Sequence, residues 1–116
     1  MATREDAQLL VQVLQWGNGM GLEEAMQHVF SKDYDPETAP MDDPAVAKVL
    51  SFGETLGTFV KHGVLDRELV VDLVWVEGLW RKVRRHALAA REEEHEPRLY
   101  EHFEALVGVT AGVARG

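Results

Sequence analysis

Apolar residues recur at three- and four-residue intervals over most of the chain, the spacing of one face of an α-helix. The first such run begins after Thr3, which stands three residues before Asp6 as in a capping box, and ends at Trp16-Gly17 in a glycine-rich segment. A second, shorter run covers residues 22–31. No alternation of apolar and polar residues is long enough to predict a strand, so the pattern predicts an all-α fold.

A long polar segment follows the second predicted helix. Residues 32–44 (KDYDPETAPMDDP) contain three prolines and five acidic residues, which predicts a loop. Loops of this length are uncommon in compact domains and are either functional or held against the surface. Asp43 and Pro44 then predict the start of a third helix, as N-cap and first helical residue, and Gly63 predicts its end.

The next apolar run predicts the longest helix of the chain. Asp66 is suited to cap it, and no strong breaker follows until Pro97. Apolar residues then alternate at intervals of four and three, a heptad pattern typical of packed helices: Leu69, Leu73, Val76, Trp80, Val83, Ala87 and Ala90. A continuous helix over about 66–94 would be about 42 Å long. Because that length exceeds the diameter of a small domain, its far end would require a partner.

Pro97 restarts the chain as a final helix with the same spacing at Leu99, Phe103, Leu106, Thr110 and Val113. This helix is expected to fold back on the preceding one as an antiparallel hairpin. The sequence thus predicts one all-helical domain over 1–116, a five-helix bundle with a long central helix and a C-terminal hairpin. The side chains expected in its core are Leu56, Leu73, Trp75, Trp80 and Phe103.

Two glycines, Gly53 and Gly57, lie four residues apart inside the third predicted helix. Each destabilises a helix interior by about 1 kcal/mol relative to Ala. Small residues at this spacing allow two helix backbones to approach closely. We therefore predict close helix packing within the chain at this face, with Trp75 or Trp80 filling the groove. A dimer contact and a ligand slot are the alternatives.

Three segments occur in an order that resembles a known family. The first contains Leu56-Gly57, Lys61 and Gly63, the second starts at Leu65-Asp66 and continues through Leu69-Val70 and Asp72-Leu73, and the third is PRLYEHFE from Pro97 to Glu104. Over roughly residues 22–106 the chain resembles the bacterial helical family filed as domain of unknown function 4760. The resemblance implies an α-helical fold and carries no activity. Gly53 departs from it, since many relatives have a large residue there.

Composition restricts the possible functions. A net charge of −8 and a pI near 5.0 argue against a general nucleic-acid binder. Because the chain has no cysteine, disulfides, thiolate metal sites and cysteine nucleophiles are excluded. The polar N-terminus is unlike a secretory signal, and the most apolar window, 69–80, is too short to span a membrane. We therefore expect a cytoplasmic protein with no nucleic-acid partner, no membrane span and no cofactor.

Candidate metal ligands are few. Glu92 and His95 have the Glu-x-x-His spacing of di-metal sites in helical bundles, and Glu24 and His28 offer a weaker pair on another helix. Such a site needs a second Glu-x-x-His pair and two further glutamates, so we predict no metal. The Glu-x-x-Glu pairs within residues 93–104 resemble the magnesium sites of helical nucleotide pyrophosphohydrolases. Both pairs surround one proline, however, which favours an exposed acidic turn.

The basic segment Arg81–His86 is the only concentration of positive charge. Its members flank Val83 in the predicted heptad pattern, so a solvated face, or pairing with Glu92–Glu94, is expected. An acidic partner, an anionic lipid or a phosphate is the alternative.

The surplus of apolar helix surface favours a non-enzymatic helical protein–protein interaction or regulatory module that forms a homodimer and binds a further protein partner. The predicted interface comprises Val83, Arg84, Arg85, Ala87, Ala90 and Val107. The alternative is a metal-dependent hydrolase or ligand sensor that uses the acids and histidines of residues 92–104. No credible hydrolase triad or phosphate-binding loop is present, which favours the first hypothesis.

Overall fold

The computed structural model describes the backbone of residues 1–115 and the side chains of residues 1–108. Over this part of the chain there are six α-helices and no β-strand, which confirms the all-α prediction but not the five-helix layout. The helices are α1 (Arg4–Gly19), α2 (Leu22–Val29), α3 (Pro44–Lys61), α4 (Arg67–Leu73), α5 (Val76–Glu93) and α6 (Glu101–Arg115). None of the helices searched is long and apolar enough to cross a lipid bilayer.

The helix starts follow the local signals in the sequence. Thr3 and Asp6 form a capping box at the start of α1, each side chain accepting the backbone N–H of the other residue. The side chain of Asp43 accepts the N–H of Ala45 at the start of α3, and Asp66 caps α4. Each cap satisfies a backbone donor that the first turn of a helix leaves without a partner.

The predicted long helix over residues 66–94 is wrong, because the chain breaks between α4 and α5. Trp75 has φ −76° and ψ 73°, the geometry of an inverse γ-turn, and the N–H of Val76 donates to the carbonyl of Val74 at 2.8 Å. In a continuous helix Val74 and Val76 would lie about 200° apart. Both are buried here. The break thus places both valines in the core and turns Trp75 outward.

The break also removes the argument for a projecting helix. α5 has 18 residues, which corresponds to a length of about 27 Å. The whole structure measures 40 × 30 × 27 Å. α5 therefore does not extend beyond the domain, and its length does not require a partner.

The centre of the bundle is α3, which packs against α2, α5 and α6. Its buried face includes Val49, Phe52 and Leu56. α6 packs on α3 and α4 as well as on α5, so it is more than the second half of a hairpin. Of the predicted core residues, Leu56, Trp80 and Phe103 are buried. Leu73 and Trp75 are 58% and 61% exposed, and their predicted burial is wrong.

The acidic loop before α3 is held against α5. Tyr34 donates its hydroxyl proton to the carbonyl of Lys82 at 2.6 Å, and Arg85 donates to the carbonyls of Pro36 and Ala39 at 2.6 and 2.9 Å. Burial, as the largest cause, raises the pKa of Tyr34, which keeps its hydroxyl a donor well above neutral pH. Arg85 therefore binds carbonyl groups of the loop. The prediction that it faces solvent or pairs with Glu92–Glu94 is wrong.

His86 completes this attachment from within the core. Its Nε2 lies 3.0 Å from the carbonyl of Pro40, so Nε2 is the protonated nitrogen. Its Nδ1 is buried and has no hydrogen-bond partner among the described side chains. The prediction of a solvated basic face is thus wrong for His86 as well.

Candidate binding groove and exposed aromatic surface

The predicted dimer interface does not form a continuous surface. Val83 and Ala87 are 0% exposed within the single chain, so their placement at an interface is wrong. Arg85 is turned toward the acidic loop, whereas Arg84 is exposed and Ala90 and Val107 are half-buried. The central positions of the heptad pattern, Val76, Trp80, Val83 and Ala87, belong to the core of the chain itself. Its predicted continuation at Thr110 and Val113 lies outside the described side chains.

The candidate metal ligands do not converge. Glu92 and His95 are exposed near the end of α5, whereas His28 on α2 lies 3.0 Å from Asp43. Among the described residues, no group of three histidine, aspartate or glutamate side chains is placed to hold a metal ion. The acids of the 92–104 segment include Glu101 and Glu104, which pair with Arg98 and Arg91 at 3.0 Å.

The close approach at the paired glycines lies between α3 and α6. A Cβ on Gly53 would overlap the ring of Phe103, and a Cβ on Gly57 would overlap the backbone carbonyl of His102. The ring of Phe103 is buried and meets Trp80 edge-on, with centroids 5.1 Å apart. Phe103 thus occupies the position for which the sequence suggested Trp75 or Trp80.

Glu54, between the two glycines, caps the first turn of α6 from another helix. One carboxylate oxygen accepts the N–H groups of His102 and Phe103, both at 3.0 Å, and the other lies 2.6 Å from Nδ1 of His102. A negative charge at a helix N-terminus is favourable because of the helix dipole. Glu54 therefore fixes both the start of α6 and the orientation of the His102 ring.

A groove of about 550 Å³ opens beside this contact, and we call it the α3–α6 groove. Its lining comes from α3, α4, the turn before α6, and α6: Gly57, Val60, Lys61, Arg67, Arg98, Glu101, His102, Ala105 and Leu106. Three of these side chains are cations, in a chain of net charge −8. The side chains that line the groove thus carry more positive than negative charge, the reverse of the chain as a whole.

The cations of the groove differ in their partners. Arg98 donates to both carboxylate oxygens of Glu101 at 3.0–3.3 Å. This hydrogen bond holds the pKa of Glu101 below its usual range, so Glu101 is ionised at neutral pH. Lys61 and Arg67 form no ion pair or hydrogen bond through their side chains within the described residues, although Arg67 is half-buried.

A second notable feature is the surface around Trp75, which we call the aromatic surface and define as Phe30, Leu73, Trp75 and Arg81. The rings of Phe30 and Trp75 are stacked, 5.6 Å between centroids and 6° apart. The guanidinium of Arg81 lies 5.8 Å from the Trp75 ring, a cation–π distance. A Cβ on Gly78 would overlap this ring, so the glycine lets Trp75 lie flat on α5.

The comparison with sequence families assigns the chain. The sequence model described as "Domain of unknown function (DUF4760)" matches residues 2–108. The chain belongs to this family. No curated protein and no solved structure matches it.

The segments that carried the resemblance to the DUF4760 family meet in the fold. Gly57 and Lys61 from the first segment, and Arg98 and His102 from the third, line the same groove. Arg67 follows the acidic cap of the second segment and reaches the groove from α4. A sequence pattern spread over more than forty residues therefore encloses one cavity.

Sequence reasoning missed the partners within this site. Glu54 and His102 are far apart in the chain, and only tertiary packing brings them to 2.6 Å. The sequence does contain a signal at Glu54, because this residue stands between two glycines whose spacing predicts a close helix contact. A charged residue on a closely packed helix face requires a partner.

Proposed function

We propose that the protein is a non-enzymatic helical interaction module that forms a homodimer in the cytoplasm. The observation that carries this proposal is the aromatic surface. Trp75 is 61% exposed although it is held in place by Phe30, Gly78 and Arg81. Tryptophan and arginine are enriched among residues that dominate binding energy at interfaces.

The local structure supports a binding role for Trp75. The chain interrupts its helix at this residue, and the ring then lies flat on Gly78, stacked against Phe30. A ring that is already fixed loses little conformational entropy on binding. The adjacent Leu73 is also exposed and adds apolar surface next to it. Exposed apolar groups that cluster in this way commonly mark an interaction site.

A second copy of the chain is the partner we propose. Arg81 belongs to the aromatic surface, and Arg84, three residues later in α5, is exposed about one helical turn away. A chain of net charge −8 provides acidic groups that can meet these arginines across an interface. Two-fold dimers are the commonest oligomers of soluble proteins. The interface proposed here replaces Val83 and Ala87 with Trp75 and Phe30 and retains Arg84 at the rim.

The alternative, a metal-dependent hydrolase at residues 92–104, has less support. Glu101 and Glu104 are engaged by arginines, and His102 is engaged by Glu54. Among the described residues none of these groups forms a three-ligand cluster. The acids and the histidine of this segment therefore contribute to packing and charge, and we do not assign them a hydrolytic role.

Light scattering at micromolar concentration tests the proposal. We expect the wild-type chain to have twice the mass of the 13.0 kDa monomer. Trp75→Ala should reduce the mass to that of the monomer without loss of helicity, because Trp75 lies outside the core. Trp16→Ala is the matched control, since Trp16 is also exposed, at 43%, but is on α1.

Two results would contradict this proposal. A wild-type mass of 13.0 kDa would exclude the homodimer. A dimer that Trp75→Ala leaves intact, and that Trp16→Ala dissociates, would place the interface on α1.

A further inference from the structure

We propose that the α3–α6 groove binds a small organic anion, a carboxylate or phosphate group attached to an apolar body. This site is separate from the aromatic surface and does not depend on dimer formation. Lys61 and Arg67 would hold the anionic group, and the face formed by Gly57, Val60 and Ala105 would receive the apolar body.

The charges in the groove support an anion as the ligand. Glu101 compensates Arg98 through their ion pair. Lys61 and Arg67 have no ion-pair partner among the described side chains, although Lys61 lies close enough to Glu101 to lower its pKa, so the lining of the groove carries three cations and one acid. Arg67 is half-buried, and a guanidinium in that environment gains most from a ligand that replaces its lost hydration.

The position of Arg67 strengthens this argument. Three separate elements bring cations to one cavity: Lys61 ends α3, Arg67 begins α4, and Arg98 lies in the turn before α6. Like charges repel one another, and the single carboxylate of Glu101 offsets only part of this repulsion, so a bound anion would be favourable. In a chain with 20 acidic and 12 basic residues, only Glu101 among the residues that line this groove is an acid.

The shape of the groove indicates a small molecule. Its volume of about 550 Å³ lies within the range of small-molecule sites, about 300–1,000 Å³. Gly57 sets this shape, because it allows the backbone of His102 to lie directly on α3. Val60 and Ala105 supply apolar contacts on the two helices. An organic anion with an apolar part fits this combination better than an inorganic ion does.

His102 adds a directional group. Glu54 accepts the proton of Nδ1, so the ring is fixed and its Nε2 lies toward Glu101, at 3.5 Å from the carboxylate. The imidazole thereby lies at the edge of the groove in one orientation. From this position the ring can contact the ligand, while Lys61 and Arg67 supply the charge.

Nuclear magnetic resonance titration of the ¹⁵N-labelled full chain tests this inference. The probes are phenyl phosphate, benzoate and benzylamine, which share an aromatic body and differ in the charged group. We expect phenyl phosphate or benzoate to shift the amide signals of Gly57, Val60 and Ala105, and benzylamine to leave them unchanged. The anion that binds with the higher affinity identifies the ligand as a phosphate or a carboxylate.

The double variant Lys61→Gln/Arg67→Gln provides the decisive comparison. It should bind the preferred anion about tenfold more weakly or worse, because hydrogen bonds to charged groups are lost. The control Arg4→Gln/Lys32→Gln removes the same charge at exposed positions outside both the groove and the aromatic surface and should bind as the wild type does.

The inference is overturned if no groove amide shifts with either anion, or if the two double variants bind with equal affinity. It is also overturned if benzylamine binds as tightly as the anions. Circular dichroism confirms that each variant is folded before titration. Since the readout comes from groove amides, a monomeric wild-type protein would contradict the proposed homodimer without affecting this result.

Discussion

Phe103 and Trp75 both place an aromatic ring over a glycine in a helix, but only one of these rings is in the core. Phe103 covers Gly53 from another helix and is fully buried against Trp80. Trp75 covers Gly78, three residues later in the chain, and remains 61% exposed. The contact with glycine is similar in both cases. What differs is what covers the rest of the ring: the core encloses Phe103, whereas Trp75 is stacked on Phe30, which is itself exposed.

The largest difference between the two regions should appear when the rings are removed. Phe103→Ala should destabilise the fold by about 3–5 kcal/mol, because it leaves a cavity between α3, α5 and α6. Trp75→Ala should cost about 1 kcal/mol or less, since it removes a stacked but exposed ring. Urea unfolding, at a protein concentration where the chain is monomeric, measures the loss of stability in both variants. Equal losses would contradict the distinction between a core ring and a surface ring.

Substitution of the glycines should produce a smaller difference in stability between the two regions. Gly57→Ala should destabilise by about 1–3 kcal/mol from overpacking, partly offset by about 1 kcal/mol of helix propensity. The new Cβ meets the backbone of His102, which cannot move without shifting α6. Gly78→Ala should stay within about 1 kcal/mol of the wild type, because the new Cβ displaces only an exposed ring and its stacking on Phe30, and Ala has the better helix propensity. A thermal melt of each variant provides the comparison, and a more stable Gly57→Ala protein would refute close packing there.

The smallest expected effect concerns the ion pair at the start of α6. Arg98 lowers the pKa of Glu101 below its usual 4.5 in the folded state. The stabilisation that this ion pair provides is fully present above pH 4.5 and is lost as the pH falls through the lower pKa that Glu101 has in the folded state. Arg98→Gln should therefore reduce the melting temperature slightly at neutral pH and not at all well below 4.5. Lys32→Gln, an exposed cation without an ion pair in the described side chains, should show no such dependence.

The helix starts could be predicted because their causes are local. Thr3, Asp43 and Asp66 each bond a backbone N–H two or three residues away. Gly63 likewise has a positive φ of 72° just after α3, as expected for a residue that ends a helix. Such contacts depend on a few neighbouring residues, which the sequence displays directly.

The break at Trp75 could not be predicted in this way. No glycine or proline marks it, and the heptad pattern continues through it. Its cause is the burial of both Val74 and Val76 against other helices, which no local pattern contains. The same limitation applies to the interface prediction. Val83 and Ala87 have the spacing of a surface seam, but they face the interior of their own chain.

The groove was only partly visible in the sequence. Gly57 stood out as a small residue in a helix, and Arg98 stood out in the family pattern. The contribution of Glu54 depends on His102, 48 residues later, and that of Arg67 depends on the angle at which α4 leaves α3. Distant residues of this kind become neighbours only through tertiary packing.

The attachment of α6 to Glu54 and Gly53 also has a consequence for how the chain folds. α6 follows every other helix in chain order, so the cleft at Gly53 stays unfilled until Phe103 has been synthesised. The contacts that close it join residues 48 and 49 positions apart. Contacts of such long sequence separation form slowly because they require closure of a large loop. The apolar cleft on α3 therefore stays uncovered in the nascent chain until α6 packs against it.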